Sequence, residues 1–315
     1  MELTSGTALS PEVIGSYAPD AGRYRPRRWP AWIDEIDFSV SDAHVRMGTR
    51  SLAPTEWLAP DELAPSELAL RQRLVLEQRQ HVVACGAVAE DAAAETERLM
   101  ARWRAEQSLE ITAAPGAGDD AHPLVRAGTT GQEDLCLLVH HDGQWHLEAA
   151  VLCFPSMWTL AEKIGRPIRQ VHAPVPHYAE ELGQRVDTFF DRLPPGRLVR
   201  RRNVSVWPAC LLWVPTATLD ASLWDDPPGD PTWPMLWLRS ERQTLRRLPD
   251  SGAILFTIRV QMAPLSVLAQ RPDRARDLAA WLRAPGGESR RQQLGATLSR
   301  DLAWLDRTAA AQPGG

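Results

Sequence analysis

The chain has 315 residues and a formal net charge of -5, with 35 Lys and Arg against 40 Asp and Glu. That length can bury a sizeable core, and the acidic balance argues against a nucleic-acid footprint. The nearest basic run, Arg200-Arg201-Arg202, is too short to track a phosphate backbone.

Lys163 is the only lysine, so single arginines reflect coding bias more than a demand for anion binding and carry little weight alone. Cys85, Cys136, Cys153 and Cys210 are widely spaced, form no CxxC pair and read as buried thiols of a reducing compartment. The N-terminus lacks a basic region followed by an apolar one, and no run approaches a membrane span. The expected location is the cytoplasm.

In chain order, residues 1–44 read as an extended N-terminal arm lying across a surface, ordered where its Trp and Tyr residues dock. Gly48 suits a loop that needs a flexible backbone. Helical spacing predicts helices over 67–80 and 87–107, the second with Leu99, Met100 and Trp103 on one side. Residues 112–122, rich in Ala, Pro, Gly and Asp, read as a loop. Apolar runs at 134–140 and 145–154 around Asp142-Gly143 predict a β-hairpin. His140, His141 and His146 flank its turn and read as solvated rather than as a metal cluster.

Ser156 is the expected N-cap of a short helix over 157–164, stopped at Gly165. Residues 166–172 then read as extended or loop, with Pro174 and Pro176 stiffening the chain after His172. A helix is expected over 178–193 with Leu182, Val186, Phe189 and Phe190 inward. Residues 198–214 read as strand broken at Pro208, 216–234 as a Trp-rich loop, 234–248 as strand passing into helix, and 253–260 as strand. The C-terminal part, 271–315, reads as helical and packed on a principal domain over 45–270. The sum is α+β, an antiparallel sheet with helices before and after it.

No dinucleotide fingerprint, P-loop or nucleophile elbow occurs, which removes support for nucleotide binding within this chain and for hydrolase chemistry. What stands out is His172, with large apolar neighbours and arginines nearby. That is the residue set of a haem pocket, imidazole on iron and guanidinium on propionates, although a lone loop histidine is more often a structural hydrogen-bonding group. Arg202, Arg239 and Arg242 have two readings, as contacts to a cofactor's anionic groups or as a buried salt-bridge lattice, with Glu241 holding one of them by ion pair.

Several segments taken in order carry a resemblance: Pro155-Ser156-Met157-Trp158, Glu162-Lys163-Ile164-Gly165, His172-Ala173-Pro174-Val175-Pro176, Arg201-Arg202-Asn203, and the run from Leu238 to Leu245. Leu248-Pro249 and 253–259 extend it, with weaker matches at 47–50, Trp57 and 133–135. Over 45–270 the chain resembles the haem-dependent oxidative N-demethylase family, in the alpha or haem subunit.

The resemblance implies a PAS-like haem-binding fold that oxidises a methylated amine with dioxygen and releases formaldehyde. It implies haem b, and electrons from NADPH through a separate flavin and iron–sulfur reductase. His172 is the expected iron ligand, with His177 the next candidate. Lys163, Arg239, Arg242 and Trp158 are the expected haem contacts, and Glu241 and Arg202 the expected catalytic groups. The partners are thus an amine, dioxygen and a reductase, with oligomeric state left open; neither nucleic acid nor membrane is expected. Val204 departs from the family, which tends to have Trp there, and the loop over 216–234 is particular to this chain. Both bear on the substrate more than on the cofactor. A competing reading is a PAS-like haem or small-molecule sensor without turnover.

Overall fold

The computed structural model describes residues 9–38, 48–109, 122–171, 183–226, 229–230, 232–284 and 288–311. Seven described strands form one open antiparallel sheet: β1 Arg50–Ser51, β2 Val83–Cys85, β3 Asp134–His141, β4 Gln144–Val151, β5 Leu198–Trp207, β6 Trp237–Arg247 and β7 Ile254–Pro264, in the spatial order β1-β5-β6-β7-β3-β4-β2. The described helices are α1 Pro11–Gly15, α2 Ala64–Glu77, α3 Arg79–Val82, α4 Glu90–Glu106, α5 Pro123–Gly128, α6 Ile168–Val171, α7 Gly183–Arg192, α8 Pro272–Arg283 and α9 Glu288–Ala310. Mixed helix and antiparallel sheet is the class the sequence predicts.

The β3–β4 hairpin forms where alternation and Asp-Gly place it. Asp142 (φ 50°) and Gly143 (φ 73°) both adopt the left-handed conformation that matches the twist of the flanking strands. The second half of β6 departs from expectation. Its Arg, Gln and Leu residues suggest helix, yet it stays strand to its end, pairing through Leu198↔Arg246 on one side and Arg247↔Ile254 on the other. Pairing on both edges outweighs local helix propensity.

Alternation along β6 sorts its side chains onto two faces. Arg239, Glu241, Gln243 and Leu245 share a near face with their cross-strand partners Met262, Val260, Ile258 and Phe256. Leu238, Ser240, Arg242 and Thr244 take the far face, with Ala263, Gln261, Arg259 and Thr257. On the far face, Val206, Leu238 and Ala263 join Ile33, Ile36, Leu278, Leu298 and Leu305 in one apolar cluster, so α8, α9 and the segment before Phe38 cover that end. A larger cluster holds Leu74, Met100, Leu135, Val151, Phe154, Leu245 and Met262.

The N-terminal segment docks through its Tyr residues as expected, and Ile14 and Ile33 add core contacts. Ile14, Tyr17, Tyr24 and Ile33 are buried, and Tyr24 Oη donates to the buried Glu67 carboxylate at 2.9 Å. Surrounding Pro and Arg residues disguise the two isoleucine anchors in the sequence. The four cysteines are free; three are buried as expected, but Cys85 is exposed on the short edge strand β2. No described helix is long and apolar enough to cross a membrane.

Candidate functional site

A buried lock positions the segment that leaves β4. Arg71 of α2 pairs with Asp134 at 2.8 Å, and Asp134 also accepts the backbone N–H groups of Cys153 (2.7 Å) and Phe154 (3.0 Å). Beyond Phe154, residues 157–164 are a series of turns rather than the expected helix. Ser156 bridges to Val214, Met157 N donates to Val214 O at 3.1 Å, and Met157 has a φ of 60°. The tertiary pairing consumes the groups that would start a helix. Gly165 (φ 72°) does end the turns, and its N–H donates to Leu147 O at 2.7 Å, hanging the segment on β4. The next stretch also differs from expectation: Pro167 bridges to His146, and Ile168–Val171 form one helical turn, α6.

Ser156 is therefore free to serve as a hub. Its hydroxyl donates to Glu241 Oε1 and accepts from Arg239 Nε at 3.0 Å, while Gln243 Nε2 donates to Glu241 Oε2 at 2.8 Å. Glu241 and Arg239 are thus relayed through Ser156 rather than joined in the ion pair the sequence suggests. Arg239 is almost fully buried, and its remaining donors go to the carbonyls of Leu211 (2.7 Å), Phe154 (2.9 Å) and Leu212 (3.3 Å), with its plane over Trp207. Burial pushes its pKa down to about 10, against the opposing charge of Glu241, so it stays a cation at neutral pH.

Lys163 stands beside this network. Its Nζ lies 4.1 Å from the centroid of the Trp158 ring, a cation–π contact. Burial lowers its pKa, while Cys136, Glu162 and Glu241 act in the opposite direction. Trp158, Ile164 and Phe256 are only partly buried against the main cluster. Phe256 belongs to the middle strand of the sheet, between Leu245 and Cys136, where a fully covered sheet would hide it. Phe256 is thus incompletely covered on the near face.

The structure thus brings together four of the expected site residues, Glu241, Arg239, Lys163 and Trp158. It sets Arg242 and Arg202 on the opposite face. Arg242 donates to the carbonyls of Trp57 (2.8 Å) and Glu56, and Arg202 to Ser240 (3.1 Å), Gln261 (2.8 Å) and Glu35 (2.8 Å). Burial lowers the pKa of both arginines. His172 and His177 lie outside the described residues; His172 follows α6 directly in sequence. Ser156 and Gln243 are the polar members that sequence reasoning did not assign to the site. The signal for Gln243 was polar residues two apart on a central strand, Arg239, Glu241 and Gln243.

A family model for the haem-dependent oxidative N-demethylase, alpha subunit-like, matches residues 101–290, more than half of the chain. The chain belongs to this family. The matched stretch contains β3 to β7 and hence the whole Ser156 network. Haem is the cofactor in the family's name, and the residues beside the Ser156 network suit its chemistry. Trp158, Ile164 and Phe256 offer apolar surface to a flat macrocycle, and Lys163, which has no carboxylate in salt-bridge contact among the described residues, offers an ammonium to a propionate.

Proposed function

We propose that the protein is the haem-bearing subunit of an oxygenase that removes a methyl group from an amine nitrogen, using dioxygen and electrons delivered by a separate protein. The observation that carries this reading is family membership over the stretch that builds the Ser156 network, with the lone lysine held over Trp158 beside it. A PAS-like description of the sheet and a principal domain over 45–270 belong to the same proposal.

When bound, haem b supplies the activation of dioxygen needed to oxidise a carbon beside nitrogen. The protein's own residues hold and orient. In this proposal His172 would ligate iron, Trp158 would pack on the macrocycle and Lys163 would pair with a propionate. Glu241, whose oxygens are held by Ser156 and Gln243, presents a fixed negative charge to the cationic amine. Arg239 acts through Ser156 and is a positioning residue. Arg202 and Arg242 brace the sheet from its far face.

Electrons arrive from outside in this proposal, because the chain carries no flavin or dinucleotide glycine motif and no cysteine cluster. NADPH through a flavin and iron–sulfur reductase is the proposed route, and the cytoplasm the proposed location. The test supplies haem-loaded protein with NADPH, oxygen and methylated amines, first alone and then with a flavin reductase and ferredoxin. Formaldehyde should appear only with the added proteins. Full-rate formation without them, or an equal rate with hydrogen peroxide alone, would overturn the external-electron reading; no formaldehyde in any combination would overturn demethylation.

A further inference from the structure

The β3–β4 hairpin carries a second cluster, none of whose members belongs to the Ser156 network. His146 and Glu148 are two residues apart on β4 and so share a face, and His141 reaches across from β3. The two imidazoles stack, with centroids 3.9 Å apart and planes within 10° of parallel. One ligand atom from each histidine and one Glu148 oxygen all lie within 4.8 Å of one another. His146 is buried, contrary to the solvated histidine expected beside a turn, because Pro167 bridges to it and Arg166 O accepts the N–H of Leu147 at 3.1 Å.

The surroundings resemble the outer shell of a metal centre. His146 Nδ1 lies 3.2 Å from Gln144 O, and His141 Nδ1 lies 3.2 Å from Asp142 Oδ2. For His146 the acceptor at Nδ1 fixes the tautomer whose Nε2 carries the lone pair, which is how ligating histidines are oriented. His141 has a carboxylate at each ring nitrogen; its Nε2–H donates to Glu148 Oε1 at 2.9 Å, and a bound ion would take the place of that proton. Glu148 Oε2 sits over Gly86, where a Cβ would come within 3.0 Å of that oxygen and 2.8 Å of Glu148 O, so the glycine makes the room the carboxylate occupies. Gly86 N donates to Glu148 O at 2.9 Å, which ties the edge strand to the same residue.

We propose that His141, His146 and Glu148 form a binding site for a divalent transition-metal ion of the zinc type. Two imidazoles and one carboxylate suit such an ion, whereas calcium and magnesium take oxygen ligands. Ligand atoms in a tetrahedral zinc site lie roughly 3.3 Å apart, so small side-chain rotations bring these three into range and leave a fourth position to water. The ion would tie β3 to β4 beside the hairpin turn.

The test uses the full chain, freed of metal with a chelator, titrated with zinc chloride and followed by metal analysis and thermal melting. Wild type should take up one zinc per chain saturably and melt at a higher temperature with zinc. His141→Asn, at a side chain 35% exposed and so tolerant of change, and Glu148→Gln should each weaken zinc binding by ~10-fold or more. Cys85→Ser, which removes the exposed thiol, should leave it unchanged. Absence of saturable binding in wild type, unchanged affinity in either ligand variant, or loss of binding in Cys85→Ser would overturn the proposal.

Discussion

Ser156 satisfies Arg239 Nε and one Glu241 oxygen with one hydroxyl, so its loss strands both of those atoms. Ser156→Ala should cost about 1–3 kcal/mol, the range for leaving a buried polar group without its partner, read by urea denaturation. An unchanged midpoint would rule out the hub. Lys163 gives a prediction with pH. Burial holds its pKa below the ordinary 10.5, so the folded state binds this proton less tightly than the unfolded state does. The resulting penalty is present while the amine is charged and is relieved as pH rises through the folded pKa. Relative to Lys163→Met, wild type should therefore gain stability between neutral pH and 10.5, measured by denaturation of both proteins at each end. A gap that does not change would mean the ammonium is solvated. At this scale the sequence marks Lys163, as the lone lysine, but not Ser156, whose partners Arg239 and Glu241 lie more than eighty residues away.

Among the elements, the hairpin and the long helices α2 and α4 are legible because their signals are local: alternation around Asp142-Gly143 and helical spacing of apolar residues. The turns over 157–164 and the strand ending of β6 are not, since each is decided by a distant partner, Val214 and the flanking strands respectively. Helix α5 is unannounced because its six residues are too few to show a period. Glu35 illustrates such a distant tie, joining the segment before Phe38 to Arg200 (2.9 Å) and Arg202 (2.8 Å) of β5. Burial raises its pKa, but the Arg202 hydrogen bond and the charges of Arg202 and Arg200 outweigh it and hold the carboxyl below its usual range. Its stabilising contribution is thus present at neutral pH and lost as pH falls through the lowered pKa. Glu35→Gln should destabilise at neutral pH, with the deficit shrinking on acidification below the ordinary carboxylate range. A deficit independent of pH would assign the effect to shape rather than charge.

For the molecule as a whole, the Arg71–Asp134 lock joins α2, the start of β3 and the exit from β4, and Arg71 also holds the carbonyls of Gly128 (3.0 Å) and Glu133 (2.7 Å). Asp134→Asn leaves a buried arginine without its counter-charge, and breaking such a pair costs about 3–5 kcal/mol. Equilibrium urea denaturation should show that loss; a loss below about 1 kcal/mol would mean the guanidinium finds another partner. The proposed chemistry depends above all on the near face of the sheet seating haem, which a spectroscopic titration of the purified protein with haemin would establish. A Soret band should grow in, saturate at one haem per chain, and be weakened or shifted in both Trp158→Ala and His172→Ala. A wild-type spectrum identical to haemin in buffer, or a band unchanged in both variants, would refute a haem seat on this face.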